Sequence, residues 1–337
     1  MEVLRIHFTE QDLSRVYLAK GPDPLWETVL ALFRLSPSAP GRLVFRTWQD
    51  RARSELLRCG IEGQRRVLRT LAPANSTYFP DFLTPAEEIT DIASGLQALR
   101  STHPSQLRAD IEYAATKADL PRWCHELARG DRTRLDVVVE SMRALYETVV
   151  APDWSCVEAV VEADRWKRVH ALTDGVDGLL DSLRPTFRWQ YPILRAAYPV
   201  PHDVHLNGQG LRLIPSYFCW RTPVTLVDPK LQPAIVYPIP RGLDHGPGLP
   251  YARHAEGLAR LLGPTRATVL GALAHGPSTG DLARLLKISA STASEHVRVL
   301  REAGLAITSR DGGGATHTLT PLGHALLRNE LPPPPSF

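Results

Sequence analysis

The chain has no cysteines at paired spacing. Its four, Cys59, Cys124, Cys156 and Cys219, stand far apart. Neither a disulfide framework nor a thiolate metal knuckle is expected, and they read as free, mostly buried thiols. No run of about 18 apolar residues occurs, so no helical membrane span is expected. The opening MEVLRIHFTEQD lacks a basic stretch followed by an apolar core. No secretory signal is expected there, and the expected location is the cytoplasm. There is no P-loop and no Gly-x-Gly-x-x-Gly, the usual marks of nucleotide handling. Lysine is scarce, five of 39 basic residues, a bias that reflects coding composition before chemistry.

What is present is an ordinary globular composition. The chain has 337 residues, 43% of them hydrophobic, and a formal net charge of +3. That suffices for one large domain plus a small one, or three small ones. The charge is unevenly placed. Residues 258–330 hold eight Lys/Arg and five Asp/Glu, and the rest of the chain balances. The whole excess lies in one segment, as phosphate attraction would favour.

The expected class is α+β. A mostly helical N-terminal domain (1–249) carries a β-rich stretch near 185–240, followed by a C-terminal winged helix-turn-helix domain (251–330) and a Pro-rich tail (331–337). Val3 to Phe8 alternates as a strand. Leu25 to Leu35 reads as a helix with Asp23 as cap and Pro24 at its first position. Further helices are expected over Arg42–Arg58, from a Thr84-x-x-Glu87 capping box, and over Ser105–Ala115, Arg122–Ala128, Thr133–Val150 and Ser155–Leu183. Asp203–Leu206 and Leu211–Ile214 flank Asn207-Gly208-Gln209-Gly210 like a hairpin. Tyr217–Trp220, Val224–Val227 and Ala234–Tyr237 read as short strands bounded by prolines. Gly242–Pro250 is a Gly/Pro-rich linker.

After the linker the order is specific. Helices are expected at Leu258–Leu262, Thr265–His275 and Thr279–Leu286, the last capped by Ser278-x-x-Asp281. Lys287-Ile288-Ser289 is a tight turn into a helix from Ala290 to Ala303, closed by Gly304. Strands Leu305–Arg310 and Ala315–Thr320 flank a glycine tip, and Leu322–Asn329 is a last helix. Two helices, a turn and a hairpin make the winged helix-turn-helix. Ala293, Val297, Leu300 and Gly304 share the face expected to pack inward. Ser291, Ser294, Glu295, Arg298 and Glu302 lie opposite, with Thr292 and His296 to the side. A helix about 10–12 Å wide fits a major groove about 12 Å across. Glu295 could accept from cytosine or orient Arg298 three residues on.

The stretch Ser-x-x-Ser-Glu-His-Val-Arg-Val-Leu-Arg-Glu-Ala-Gly-Leu, 291–305, resembles the ArsR-type transcription regulators, the match covering roughly 258–327. The resemblance implies a homodimer on a pseudo-palindromic operator in double-stranded DNA, more in the manner of a repressor than an activator. It implies base contacts at Ser291, Thr292, Ser294 and His296, and backbone or minor-groove contacts at Arg310 and its neighbours. The candidate DNA-contacting set is Thr279, Ser289, Ser291, Thr292, Ser294, Glu295, His296, Arg298, Arg301, Arg310, Gly312 and Gly313. Where metal-sensing members carry Cys-x-Cys, this chain has Ser278-Thr279-Gly280-Asp281, so thiolate sensing at that site is excluded. Residues RIHFTEQDL (5–13), YFPDFLTP (78–85) and QPAIVYPIPRG (232–242) resemble the uncharacterised N-terminal domain of long ArsR-like regulators, for which no chemistry is implied.

Other candidates weigh less. Trp189, Tyr191, Tyr217, Phe218, Trp220 and Tyr237 could line a pocket for an unknown small-molecule effector, or form a sheet core. His202, His205, Asp203 and Asp244 lack a complete ligand set and read as surface residues, so no metal or cofactor is expected. Cys124 and His125 point about 100° apart on a helix, unlike a nucleophile–base pair. No catalytic pair is visible and no enzymatic activity is expected. The alternative is an enzyme or ligand-binding protein acting through residues 1–250, with the winged domain as an interaction module.

Overall fold

The computed structural model describes residues 3–37, 39–74, 76–239, 258–273, 277–286, 288–311 and 314–328. The chain is mixed helix and sheet, and divides into two compact units, 1–248 and 249–337. No helix among the described residues is long and apolar enough to cross a membrane.

The first unit holds strands β1 (Val3–His7) and β2 (Val16–Leu18), with helix α1 (Glu10–Leu13) between them. Helices α2 (Pro24–Arg34), α3 (Arg42–Cys59), α4 (Glu62–Leu71), α5 (Ile92–Arg100), α6 (Pro104–Ala115), α7 (Arg122–Ala128), α8 (Arg132–Leu145), α9 (Trp154–Ala171) and α10 (Gly175–Ser182) follow. Strands β3 (Phe187–Gln190), β4 (Ile193–Ala197), β5 (His202–His205), β6 (Leu211–Ser216), β7 (Val224–Thr225) and β8 (Ala234–Pro238) complete it. They form two mixed sheets, ordered β3-β4-β1-β5 and β2-β6-β8-β7.

Strands β6 and β8 are buried along their whole length, as parallel neighbours covered on both faces must be. Alternate residues serve different cores. Ile214, Ala234 and Val236 face the helical core built on Trp26, Phe45, Trp48 and Leu145. Leu211, Leu213, Ile235 and Tyr237 join the inner face of the first sheet (Leu4, Ile6, Phe187, Leu194) and Leu179 and Leu180 of α10. Glu27 on α2 is fully buried. Its carboxylate accepts from the Ser216 hydroxyl at 3.0 Å and from the backbone N–H groups of Tyr217 at 2.6 Å and Phe218 at 2.9 Å. One buried side chain thereby fixes α2 against the end of β6, because these donors would otherwise be buried without partners.

Several expectations are corrected. The hairpin across 203–214 does not form, because β5 pairs in parallel with β1 and β6 in parallel with β2. The residues between carry the chain from one sheet to the other, as α1 does between β1 and β2. Asp12 accepts from the Gly210 N–H at 2.8 Å, and Arg15 donates to the Gly208 carbonyl at 2.6 Å. Gly210 has φ +79°, and a Cβ there would fall on the Arg15 carbonyl, so only glycine fits. Residues 217–220 form a bend and not a strand, drawn inward by Glu27. No helix starts at Thr84. Asp81 accepts from the N–H groups of Val227 and Asp228 and holds that segment in a single short turn, and the next helix starts at Ile92 under an Asp91 cap. The span Ser155–Leu183 is two helices, broken where Gly175 adopts φ +77°. Strands β2, β3 and β4 and helices α1 and α4 are additions. The linker 242–250, His275, Lys287, Asn329 and the 331–337 tail lie outside the described residues.

Among the described residues the second unit begins with a helical turn at 258–262. Helices α11 (Pro264–Ala272), α12 (Thr279–Leu286) and α13 (Ala290–Glu302), strands β9 (Ala306–Asp311) and β10 (Gly314–Leu319), and helix α14 (Pro321–Arg328) follow. Strands β9 and β10 are an antiparallel pair with Asp311 opposite Gly314.

Candidate nucleic-acid interface

Local chemistry dictates how α12 and α13 start. Ser278 and Asp281 cap each other: Ser278 Oγ donates to Asp281 Oδ2 at 2.7 Å, and the Asp281 N–H donates back to Ser278 Oγ at 3.2 Å. This reciprocal box satisfies donors that a helix start leaves free. Ser289 is the cap of α13, extended at φ −70° and ψ 153°, and accepts from the Thr292 N–H at 3.0 Å. Its Oγ also lies 2.8 Å from the Ser291 hydroxyl and 2.7 Å from that of Thr292. Three hydroxyls thus gather at a positive helix end, a setting suited to phosphate.

Ala293, Val297 and Leu300 of α13 are buried against Val269, Leu270, Leu273 and Leu282. Gly304 does not share that packing and is exposed. It lies beyond the helix end at φ +71°, where its N–H donates to the Arg301 carbonyl and that of Leu305 to Leu300. This left-handed turn leads the chain straight into β9.

The opposite side of α13 is polar and exposed at Ser291, Thr292, Ser294, Glu295, Arg298, Arg301 and Glu302. Arg298 is held by two carboxylates. Its Nε and Nη2 donate to Glu295 at 3.0 and 2.6 Å, and Nη1 donates to Glu302 at 2.7 Å. That hydrogen bonding lowers the Glu295 pKa and raises that of Arg298. The guanidinium is therefore oriented before any ligand arrives. His296 is half-buried, with Nδ1 buried and unbonded.

Thr279 turns its hydroxyl inward. Its Oγ1 lies 2.8 Å from Nε2 of His317, whose Nδ1 lies 3.0 Å from the Thr308 hydroxyl. His317 is buried, and its N–H donates to the Pro277 carbonyl. The imidazole pins both wing strands to the start of α12, a feature that sequence reasoning missed. A histidine alternating with threonines in a strand was its only trace. Arg310 lies in β9 opposite Ala315, and Gly312 and Gly313 lie outside the described residues.

The aromatic residues of 187–238 are not brought together. Tyr217 and Phe218 are in the helical core, where Phe218 lies 4.7 Å from Trp48. Trp220 packs on Gly41 and Phe45. Tyr237 is in the other core and donates to Asp164 at 2.7 Å. Trp189 packs edge-on against Phe8, donates to Asp177, and contacts the exposed Tyr191. These rings therefore do not line one pocket: Tyr217 and Phe218 belong to one core and Tyr237 to the other. A separate cleft of about 300 Å³ between α6 and α7 is lined by Arg108, Glu112, His125 and Arg129.

None of the four cysteines is in a disulfide. Burial pushes the Cys124 thiol up to about 12, which removes it as a thiolate nucleophile at neutral pH. Among the described residues no three His, Cys, Asp or Glu side chains converge as a metal site.

Residues 261–310 match a family model described as a helix-turn-helix domain. Over 68 residues the chain is 40% identical to the HTH-type transcriptional regulator Rv2034 of Mycobacterium tuberculosis. That alignment covers 20% of this chain and 64% of the relative, so the chain spans less than two thirds of the protein it resembles. No solved structure matches. The second unit carries a helix-turn-helix domain, similar in sequence to that of a transcription regulator.

Proposed function

We propose that the chain is a sequence-specific DNA-binding transcription regulator of the ArsR type. It acts as a homodimer on a pseudo-palindromic operator, as a repressor, with α13 in the major groove and the wing on the flanking backbone. The first unit supplies dimer surface, an effector site, or both, and the reading assigns no catalytic step to the chain. One observation carries it: α13 buries Ala293, Val297 and Leu300 and leaves a continuous hydroxyl, guanidinium and carboxylate face exposed. A core-only helix would not need that face, and its groups are those that pair with phosphates and base edges. The relative is named a transcriptional regulator, which supports the same reading.

The test is selection of duplexes from a random library at physiological salt, followed by sedimentation of the complex. Enrichment of a two-fold repeated sequence with half-sites roughly 34 Å apart is expected. No enrichment over the input library contradicts the reading.

A further inference from the structure

The outer face of the first sheet carries two registered rows of side chains. Arg188 of β3 lies opposite Arg195 of β4, Arg195 opposite Arg5 of β1, and Arg5 opposite Asp203 of β5. Two residues along the same face, Gln190, Ile193, His7 and His205 form the second row. Three arginines thus stand on three successive strands, each about 4.8 Å from the next.

Like charges directly opposite one another destabilise a sheet. Here a single carboxylate offsets three guanidinium groups. Asp203 takes Arg5 Nη1 at 3.2 Å on one oxygen and lies 2.7 Å from His7 Nε2 on the other. The His7 and His205 rings stack at 4.3 Å, which closes that end of the patch. Arg195 reaches the Gln190 amide oxygen only at 3.5 Å, and Arg188 is exposed. The inner face of the same strands is saturated with apolar contacts, so the arginines are not there for packing.

We propose that this face binds the phosphate backbone of duplex DNA, as a contact additional to that made by the winged unit. The inference rests on the proposed DNA-binding function. The face is an open surface, whereas sites for small anions are concave and enclose most of the ligand. A row about 10 Å long with excess positive charge suits an extended polyanion. Once the winged unit holds DNA, the duplex is present at high effective concentration, so individually weak arginine contacts are enough.

The test measures affinity of the full chain for a duplex of arbitrary sequence across a salt series. Each phosphate contact contributes about 0.9 to the slope of log affinity against log salt. The Arg188→Gln, Arg195→Gln double variant should bind several-fold more weakly at low salt, with a slope shallower by roughly two for each protomer bound. Asp203→Asn should bind more tightly than the parent. Should the double variant fail to fold, Asp203→Asn decides alone: tighter binding supports the face, unchanged or weaker binding overturns it. An unchanged slope in a folded double variant, with the parent binding normally, overturns this inference and leaves the winged-helix reading standing. A parent chain that binds no duplex at any salt sinks both.

Discussion

Thr279 Oγ1 and His317 Nε2 lie 2.8 Å apart, joining the first turn of α12 to the second wing strand. The other ring nitrogen is taken by Thr308, so a neutral imidazole satisfies both hydroxyls. Burial, with Arg301 nearby, holds the His317 pKa below its ordinary value of 6.5. An unfolded chain therefore protonates this histidine first. Its contribution to stability is complete above about pH 6.5 and falls away as pH drops below that value. The second unit is expected to melt at a lower temperature at pH 5 than at pH 7.5. His317→Gln should lose about 1–3 kcal/mol at pH 7.5 and show a weaker pH dependence. Calorimetry on the full chain measures both.

Arg298 offers a second test. A guanidinium has five N–H donors, and Glu295 and Glu302 engage three of its nitrogens. Two N–H donors, one on each Nη, remain for a base edge or a phosphate. Arg298→Ala should cost about 1–3 kcal/mol on the preferred sequence if the side chain reads a base. An equal, smaller loss on every sequence would make it a phosphate contact. Glu295→Gln should raise affinity for arbitrary duplex and reduce discrimination, read as the ratio of preferred to arbitrary binding.

The buried Asp81 and Asp110 set a pH dependence of opposite sign. Burial, with the proximity of Asp81, raises Asp110 to about 7, and burial raises Asp81 to about 6. Unfolded carboxyls titrate near 3.8. The folded chain holds these protons more tightly, so stability falls as pH rises from about 4 through 7. Asp110→Asn keeps an acceptor for the Phe82 N–H, bonded at 2.7 Å. It should stabilise the first unit at pH 8 by roughly 1–3 kcal/mol and change little at pH 4. Denaturant midpoints at the two pH values check the sign.

Glu27 is one structural carboxylate of the first unit. Glu27→Ala leaves the Ser216 hydroxyl and the Tyr217 and Phe218 N–H groups without that acceptor. A loss of about 3 kcal/mol or more is expected in urea unfolding. A change below about 1 kcal/mol would show that water replaces the carboxylate there.

The second unit was legible because its signals are local. Ser278-x-x-Asp281, Ser289 before a period-3.6 apolar face, and Gly304 after it act within one or two turns. The first unit was less so, because its decisive contacts are remote in sequence. Glu27 binds residues 216–218, and Asp81 binds 227–228. Asn207-Gly208 looks like a hairpin turn until Asp12 and Arg15, about two hundred residues earlier, draw it across two sheets. The arginine row is invisible in sequence because Arg5, Arg188 and Arg195 meet only through strand register. His317 eluded reading for the same reason: its partners Thr279 and Thr308 belong to a helix and a different strand.

The entry of α13 into a duplex can be measured directly. Ser294→Cys, in a chain with Cys59 and Cys156 replaced by serine, would carry a tethered DNA-cleaving iron chelate, with Cys124 and Cys219 protected by burial. On a selected duplex, cleavage should cluster at two places about one helical turn apart, on the major-groove side. Cleavage spread evenly along the duplex, or none while binding persists, would contradict the central claim.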